Sequence, residues 1–169
     1  MILTKKEILK ELDKGRIKIQ PFNKNQIGPA SIDLTLGNEF RVFKRRLFPY
    51  KVNDTANFEQ VTRKRKARRY IILHPGEFVL GITKEKITLP ENICGWLSGR
   101  SKFARLGVAV HITADFINPG ISNKQVLEIK NVSHLPLKVE VGTRVAQIVL
   151  ERTEGRAKYS GRFSKQEHI

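Results

Sequence analysis

Residues Gly99 to Glu128 read GRSKFARLGVAVHITADFINPGISNKQVLE, and this stretch decides how the rest of the chain is understood. It opens on Gly99-Arg100-Ser101, a small turn carrying a guanidinium and a hydroxyl, and a second guanidinium follows at Arg105. Such groups suit phosphate or the polar edge of a ring. Ser101 to Leu106 has room for a single helical turn. Val108 to Thr113 then alternates as a strand, Asn118-Pro119-Gly120 breaks it, and Gln125 to Asn131 alternates again. In that last strand Glu128 stands between Leu127 and Ile129, which sets a carboxylate on the face opposite the apolar one.

Working outward, the same short-strand pattern recurs. Ile17–Gln20 predicts a strand ended by Pro21. Ala30–Gly37 predicts a half-buried strand, with Ile32, Leu34 and Leu36 on one face and Ser31, Asp33 and Thr35 on the other, and with Glu39–Phe43 as its hairpin partner. Tyr70–Leu73 and Phe78–Thr83 predict a second hairpin about His74-Pro75-Gly76, and further strands are expected at Ile93–Leu97, Leu137–Val141 and Arg144–Leu150. One helix stands out: Thr4 to Glu7 has the pattern of a capping box, Ile8, Leu9 and Leu12 share a face, and Gly15 can supply a left-handed stop. Residues 44–69 have no period and predict a long excursion with short edge strands. Many short strands with one helix indicate a mainly β, sandwich-like or barrel-like domain over residues 1–152, followed by a polar tail, 153–169, expected to be mobile. In that tail only Tyr159, Phe163 and Ile169 are large and apolar.

The formal net charge is +16, which predicts attraction for polyanions. Residues 41–70 hold eleven Lys or Arg against Asp54 and Glu59, so thirty residues carry nine of the sixteen net charges. A solvated basic edge that discourages strand pairing explains such a run, and nucleic-acid binding is the competing explanation. Aromatic residues for base stacking are sparse there, namely Phe43, Phe48, Tyr50, Phe58 and Tyr70. The lone cysteine, Cys94, excludes an internal disulfide and a cysteine-based zinc site, which fits a reducing, cytoplasmic setting. The N-terminal residues are charged and amphipathic, and no apolar run approaches the ~18 residues of a membrane span, so no membrane partner is expected.

Five motifs in order carry a family resemblance: Gly99-Arg100-Ser101, Arg105-Leu106-Gly107, His111-Ile112-Thr113-Ala114, Ile117-Asn118-Pro119-Gly120 and Val126-Leu127-Glu128. They resemble the successive motifs of dCTP deaminases, which share a superfamily with trimeric dUTPases. Met1-Ile2-Leu3, Pro29 to Gly37 and Gly142 to Gln147 look similar too, so the likeness covers roughly residues 1–40 and 77–151 and omits the basic middle. The resemblance implies a distorted jelly-roll-like (dUTPase-like, β-clip) domain assembled as a homotrimer, with sites between subunits. It implies Mg²⁺ bound through the triphosphate of dCTP or dUTP, with no metal ligand from protein side chains and no zinc. Glu128 is then the general base, while Ser101, Arg105 and the backbone of Ala114 position the attacking water and the cytosine ring. Arg100, Lys102, Thr113 and Asn118 are implied to bind substrate. In the tail, Ala157-Lys158-Tyr159 resembles a closing segment, which implies contacts from Lys158 and Tyr159.

Deamination at C4 of cytosine needs a water deprotonated beside the ring and a proton delivered to departing ammonia. Zinc deaminases do this with a metal-bound hydroxide on a His/Cys set that a chain with one cysteine cannot supply. A carboxylate base, contributing on the order of 10²- to 10⁴-fold, is the alternative. On periodicity alone Glu128 is an ordinary solvent-side residue, Ser101 a helix cap, Arg105 and Lys158 surface charges, and His111 a strand residue outside the catalytic set. Three positions depart from the family pattern: Asn118 in place of an aspartate, Lys102 in place of a serine, and Arg162 in place of a glutamine. An amide cannot take a proton from water, so Asn118 favours plain deamination of dCTP to dUTP. The alternatives are a dUTP diphosphatase, or a bifunctional enzyme giving dUMP and diphosphate. A non-catalytic nucleic-acid-binding module using residues 41–70 is a third reading.

Overall fold

The computed structural model describes residues 1–169, and its elements follow the alternation written into the strands. Helix α1 spans Lys5–Asp13, strand β1 Lys18–Gln20, β2 Ile32–Phe43, α2 Phe58–Val61, β3 Thr62–Lys66, β4 Tyr70–Leu73, β5 Phe78–Thr88 and β6 Ile93–Gly99. Then come α3 at Ser101–Ala104, β7 Val108–Val110, β8 Phe116–Ile117, β9 Ser122–Asn131, β10 Leu137–Glu140 and β11 Arg144–Arg152. One curled, antiparallel sheet runs in the order β7-β9-β5-β2-β11-β6-β8, with β1 added to β5 and β3 to β2, while β10 and β4 form a separate pair. The protein is mainly β with three short helices, in agreement with the expected class.

Period-two burial builds the core. Ile32, Leu34 and Leu36 of β2, Leu127 and Ile129 of β9, and Val145, Ile148 and Leu150 of β11 are all buried on the inner face. Helix α1 closes one side through Ile8 and ends as the sequence predicts, at Gly15 with φ +65°. Its predicted capping box does not form: the Thr4 side chain caps nothing, and Glu7 turns instead to Lys10 Nζ at 2.7 Å. Glu11, nearly fully buried, is held by Arg16 at 2.6 Å and by Arg152 at 2.7 Å. Burial raises its pKa, but those two guanidiniums outweigh it and hold the carboxyl below the ordinary range.

Both predicted hairpins are replaced by longer-range pairing. Residues 30–37 and 39–43 lie on one strand, β2, which pairs with β11 near its start and with β5 and β3 at its end. The change of partner falls at Gly37, where an added Cβ would lie 2.7 Å from the carbonyl oxygen of Ile82, so only glycine lets the strands approach so closely. After β4 the chain turns a corner instead of folding back. Leu73 pairs with Leu137 of β10, and Asn131 fixes the corner by donating from Nδ2 to the carbonyls of Leu73 (2.9 Å) and Leu135 (2.7 Å). In the excursion, α2 and β3 are ordered around the buried Arg41, which donates to Thr62 at 3.1 Å and Glu59 at 2.8 Å and lies over the Phe58 ring. None of the helices is long and apolar enough to cross a membrane.

Candidate active site

The predicted strand Val108–Thr113 stops at Val110, and its interruption builds the site. His111 has φ +66°, the one non-glycine residue with positive φ. A left-handed conformation costs roughly 1–2 kcal/mol for an L-residue, though histidine is among the side chains that tolerate it better than most. Its amide still donates to the carbonyl of Glu128 at 2.7 Å, completing the β7–β9 ladder. The reversal then aims the next two amides at the Glu128 side chain. Ile112 N–H donates to Oε2 at 2.9 Å, Thr113 N–H donates to the same oxygen at 2.7 Å, and the Thr113 hydroxyl donates to Oε1 at 2.7 Å. The His111 ring locks the turn by bonding the Ala114 carbonyl through Nε2 at 2.7 Å. A carbonyl can only accept, so Nε2 carries the proton, and Nδ1 is buried with no partner.

Three donors converging on one carboxylate decide its charge. Burial alone raises the pKa of Glu128, but the Thr113 hydroxyl and the amides of Ile112 and Thr113 outweigh it and hold the carboxyl below the ordinary range. Glu128 is therefore an anion at neutral pH. It faces a cavity of about 300 Å³ whose sheet side includes His111, Ala114, Ile117 and Val126. Phe163, Gln166 and Ile169 close the other side. Sequence reasoning passed over these three as site residues, although Phe163 and Ile169 are two of the three large apolar groups that the tail offered as a signal.

The tail reaches the cavity by lying along the sheet. Ala157 N–H donates to the Glu91 carbonyl at 2.8 Å and Tyr159 N–H to the Pro119 carbonyl at 3.1 Å. Farther on, Lys124 N–H donates to the Gln166 carbonyl at 2.8 Å, and Asn123 Nδ2 to the Phe163 carbonyl at 2.7 Å. Gly120 permits this course: φ is +74°, and an added Cβ would lie 3.1 Å from the Cα of Lys158. Lys158 and Tyr159 are thus brought beside the Asn118-Pro119-Gly120 turn.

The Arg100 to Arg105 group lies elsewhere. Helix α3 stands between β6 and β7, with Ser101, Lys102 and Arg105 exposed, and no hydrogen bond or ion pair joins them to Glu128 within one chain. Val108 pairs with Asn131 and Val110 with Ile129, so the α3 end of β7 is three residues along β9 from Glu128, about 10 Å. Arg100 is held against the sheet: Nε pairs with Asp33 at 3.0 Å and Nη1 donates to the Arg144 carbonyl at 2.7 Å. Burial dominates at Asp33 and pushes its pKa up in spite of Arg100 and Arg144 beside it. Gln147 ties the same loop down, donating to the Gly99 carbonyl at 3.3 Å while its oxygen accepts from Ser31 at 3.0 Å.

The chain is similar to known proteins in sequence and in fold. A family described as dCTP deaminase-like matches residues 2–153. The chain is 38% identical over 175 aligned positions to a protein named dCTP deaminase, dUMP-forming, from Nocardioides sp. (strain ATCC BAA-499 / JS614), covering 98% of this chain and 91% of that one. It is 41% identical over 167 positions to a dCTP deaminase from Marinomonas sp. (strain MWYL1), covering 93% and 86%. Among solved structures, the 2′-deoxycytidine 5′-triphosphate deaminase from Agrobacterium tumefaciens shares the fold with a TM-score of 0.70 at 22% identity. The match covers 90% of this chain and 48% of that one, so this chain spans about half its length.

Proposed function

This chain belongs to the dCTP deaminase-like family, and from that premise we propose that it hydrolyses dCTP to dUTP and ammonia. The observation that carries the reading is the Glu128 carboxylate, ionised and held by three donors at the mouth of a cavity about 300 Å³ in volume. With the cytosine ring in that cavity, a water beside Glu128 gives a proton to the carboxylate as its oxygen bonds to C4. The proton passes to the amino group, the C4–N bond breaks, ammonia leaves, and the carboxylate is restored. The donors to Glu128 are fixed before substrate arrives, so the step requires little reorganisation.

Ser101 and Arg105 complete the reading as groups that hold the water and the ring edge, with the Ala114 carbonyl, oriented by His111, as acceptor for the amino group. These α3 residues make no bond to Glu128 within one chain, which supports a site shared between copies in a homotrimer. Arg100, Lys102, Thr113, Asn118, Lys158 and Tyr159 are assigned to the sugar and triphosphate, with residues 153–169 closing over the bound nucleotide. No protein side chain is assigned as a metal ligand; magnesium carried by the substrate would offset part of the triphosphate charge beside Arg100, Lys102 and Lys158. A second reading, in which dUTP is carried on to dUMP and diphosphate, is favoured by the name of the Nocardioides relative. Asn118 weighs against it, because an amide cannot serve as base for attack on phosphorus.

Separate assays for ammonia and diphosphate, with dCTP and with dUTP as substrates, test the proposal. Ammonia and dUTP from dCTP in equal amounts, without diphosphate, is the expected result. Both products from dCTP would establish the second reading, and diphosphate from dUTP with no ammonia from dCTP would overturn deamination.

A further inference from the structure

Of residues 41–70 only Phe58 lines the Glu128 cavity, and the charge of the segment is concentrated. Of the eleven Lys and Arg in this segment, only two have an acidic partner within 4.0 Å: the buried Arg41 with Glu59, and Lys66 with Glu39 at 3.9 Å. The other nine are exposed, in residues 44–46, at Lys51, in residues 63–65, and at Arg68 and Arg69. One or two lysines suffice to stop a strand edge from pairing. Nine unpaired cations repel one another and weaken the folded state unless an anion covers them.

Their arrangement describes the anion. Strand β3 is outermost and pairs only with β2. Residues 63–66 are therefore four consecutive cations in an extended strand, spaced ~3.3 Å apart and ~6.6 Å apart on each side. Alternation sends Arg63 and Arg65 to one side of the free edge and Lys64 and Lys66 to the other, so a linear polyanion along the edge meets cations from both sides. Exposed rings flank the run: Phe43, 42% exposed, is opposite Thr62 at one end, and Tyr70, 41% exposed, opens β4 beyond the other. Phe48 on the preceding loop is 79% exposed. Rings beside a cationic track are what unpaired bases stack on. The apolar residues Leu47 and Val52 are confined to the loop, whereas the cations continue along the strand edge, which suits a linear polymer better than a lipid plane.

We propose that β3 and the loop before it bind the sugar-phosphate backbone of a single-stranded nucleic acid, along an edge whose cations lie outside the lining of the Glu128 cavity. Register sets the distance between two positions on the same face of the sheet. Lys64 pairs with Arg41, Arg41 with Leu80 and Leu80 with Glu128, which puts three strand spacings, about 14 Å, between the edge and the carboxylate.

Fluorescence anisotropy of a labelled mixed-sequence 20-nucleotide single-stranded DNA, titrated with the full chain, tests this. Six phosphate contacts give a log-log salt slope of about −4, or roughly 300-fold weaker binding between 50 and 200 mM salt. The double variant Arg63→Glu, Arg65→Glu is expected to bind roughly tenfold or more weakly, with a shallower salt slope and unchanged dCTP turnover. If that variant loses turnover, Arg63→Gln with Arg65→Gln is used in its place, with the same expectation. No saturable binding at 50 mM salt, equal binding by the variants, or displacement of the DNA by dCTP would each overturn the proposal. So would sedimentation of the protein with vesicles of phosphatidylcholine and phosphatidylserine in the absence of DNA binding.

Discussion

Replacing Glu128 by glutamine separates the chemistry of this residue from its place in the fold. Both oxygens of the carboxylate are occupied: Oε2 accepts the amides of Ile112 and Thr113, and Oε1 accepts the Thr113 hydroxyl. Glutamine can satisfy the same partners if its oxygen meets the two amides, which can only donate, and its NH₂ meets the hydroxyl, which rotates to accept. The turn is then kept, and what is lost is the charge on the acceptor. Hydrogen bonds to a charged group are worth about 1.5–3 kcal/mol against about 1 for neutral pairs, and this group is partly exposed, so a cost of about 1–2 kcal/mol is expected. Turnover should fall far more, by the 10²- to 10⁴-fold of a missing general base, equivalent to about 3–5 kcal/mol on the barrier. Ammonia release at saturating dCTP measures the rate, and thermal unfolding with sedimentation measures fold and assembly. A folded Glu128→Gln protein turning over within about threefold of wild type would refute the assignment of Glu128 as base.

Thr113→Val removes one donor to Glu128 and keeps its volume; we expect about 1 kcal/mol of lost stability and an acid limb of kcat/KM shifted toward higher pH, and an unmoved limb would dissociate Thr113 from the charge of Glu128. With its folded pKa lowered, Glu128 contributes stability that is fully present above its unfolded pKa and lost as pH falls through the folded one, so unfolding midpoints recorded from pH 7 to pH 3 should drop through that window, and less steeply in Thr113→Val. Gly107→Ala meets both a φ of +82° and a Cβ 2.5 Å from that of Ser133. It should cost at least about 1–2 kcal/mol, read as a fall of roughly 2–8 °C in Tm; an unchanged Tm would mean the Gly107–Ser133 approach is relaxed in solution. Asn118→Asp supplies a carboxylate where the proposed mechanism has none, and diphosphate release from dUTP should rise; no increase would show that this position does not limit the second reaction.

Elements that depend on neighbours in sequence were legible, and those that depend on remote partners were not. The alternation of Ile32, Leu34 and Leu36, and of Leu127, Glu128 and Ile129, is a local property, and each of these residues has the burial its parity predicts. The ends of α1 were readable because Gly15 needs only its own φ. The hairpins failed for one shared reason. Gly37-Asn38 and His74-Pro75-Gly76 have the composition of turns, yet what settles a strand's partner is the ledger of buried backbone donors and acceptors across the whole sheet. The amide of Gly76 bonds to the carbonyl of Asn131, 55 residues away, and the close approach of Gly37 is to Ile82. Nothing within either hairpin-like segment announces those partners.

The site shows the same division at finer scale. Glu128, Thr113 and Ala114 came from motif order, and the fold joins them, but the device that joins them is a departure from the pattern used to find them. An unbroken strand through residues 108–113 would point Ile112 N–H and Thr113 N–H sideways into a ladder, and the Glu128 carboxylate would have neither donor. The left-handed turn at His111 converts those two ladder amides into an anion-holding pair. The turn is stabilised by its ring on the Ala114 carbonyl and by its own amide on the Glu128 backbone. A residue set aside as a satisfied strand histidine is therefore the one on which the geometry of the carboxylate depends. Histidine is suited to the position on two counts, since it tolerates positive φ and its ring N–H reaches a carbonyl three residues on. Neither property has a periodicity, which is why hydrophobic patterning passes over it.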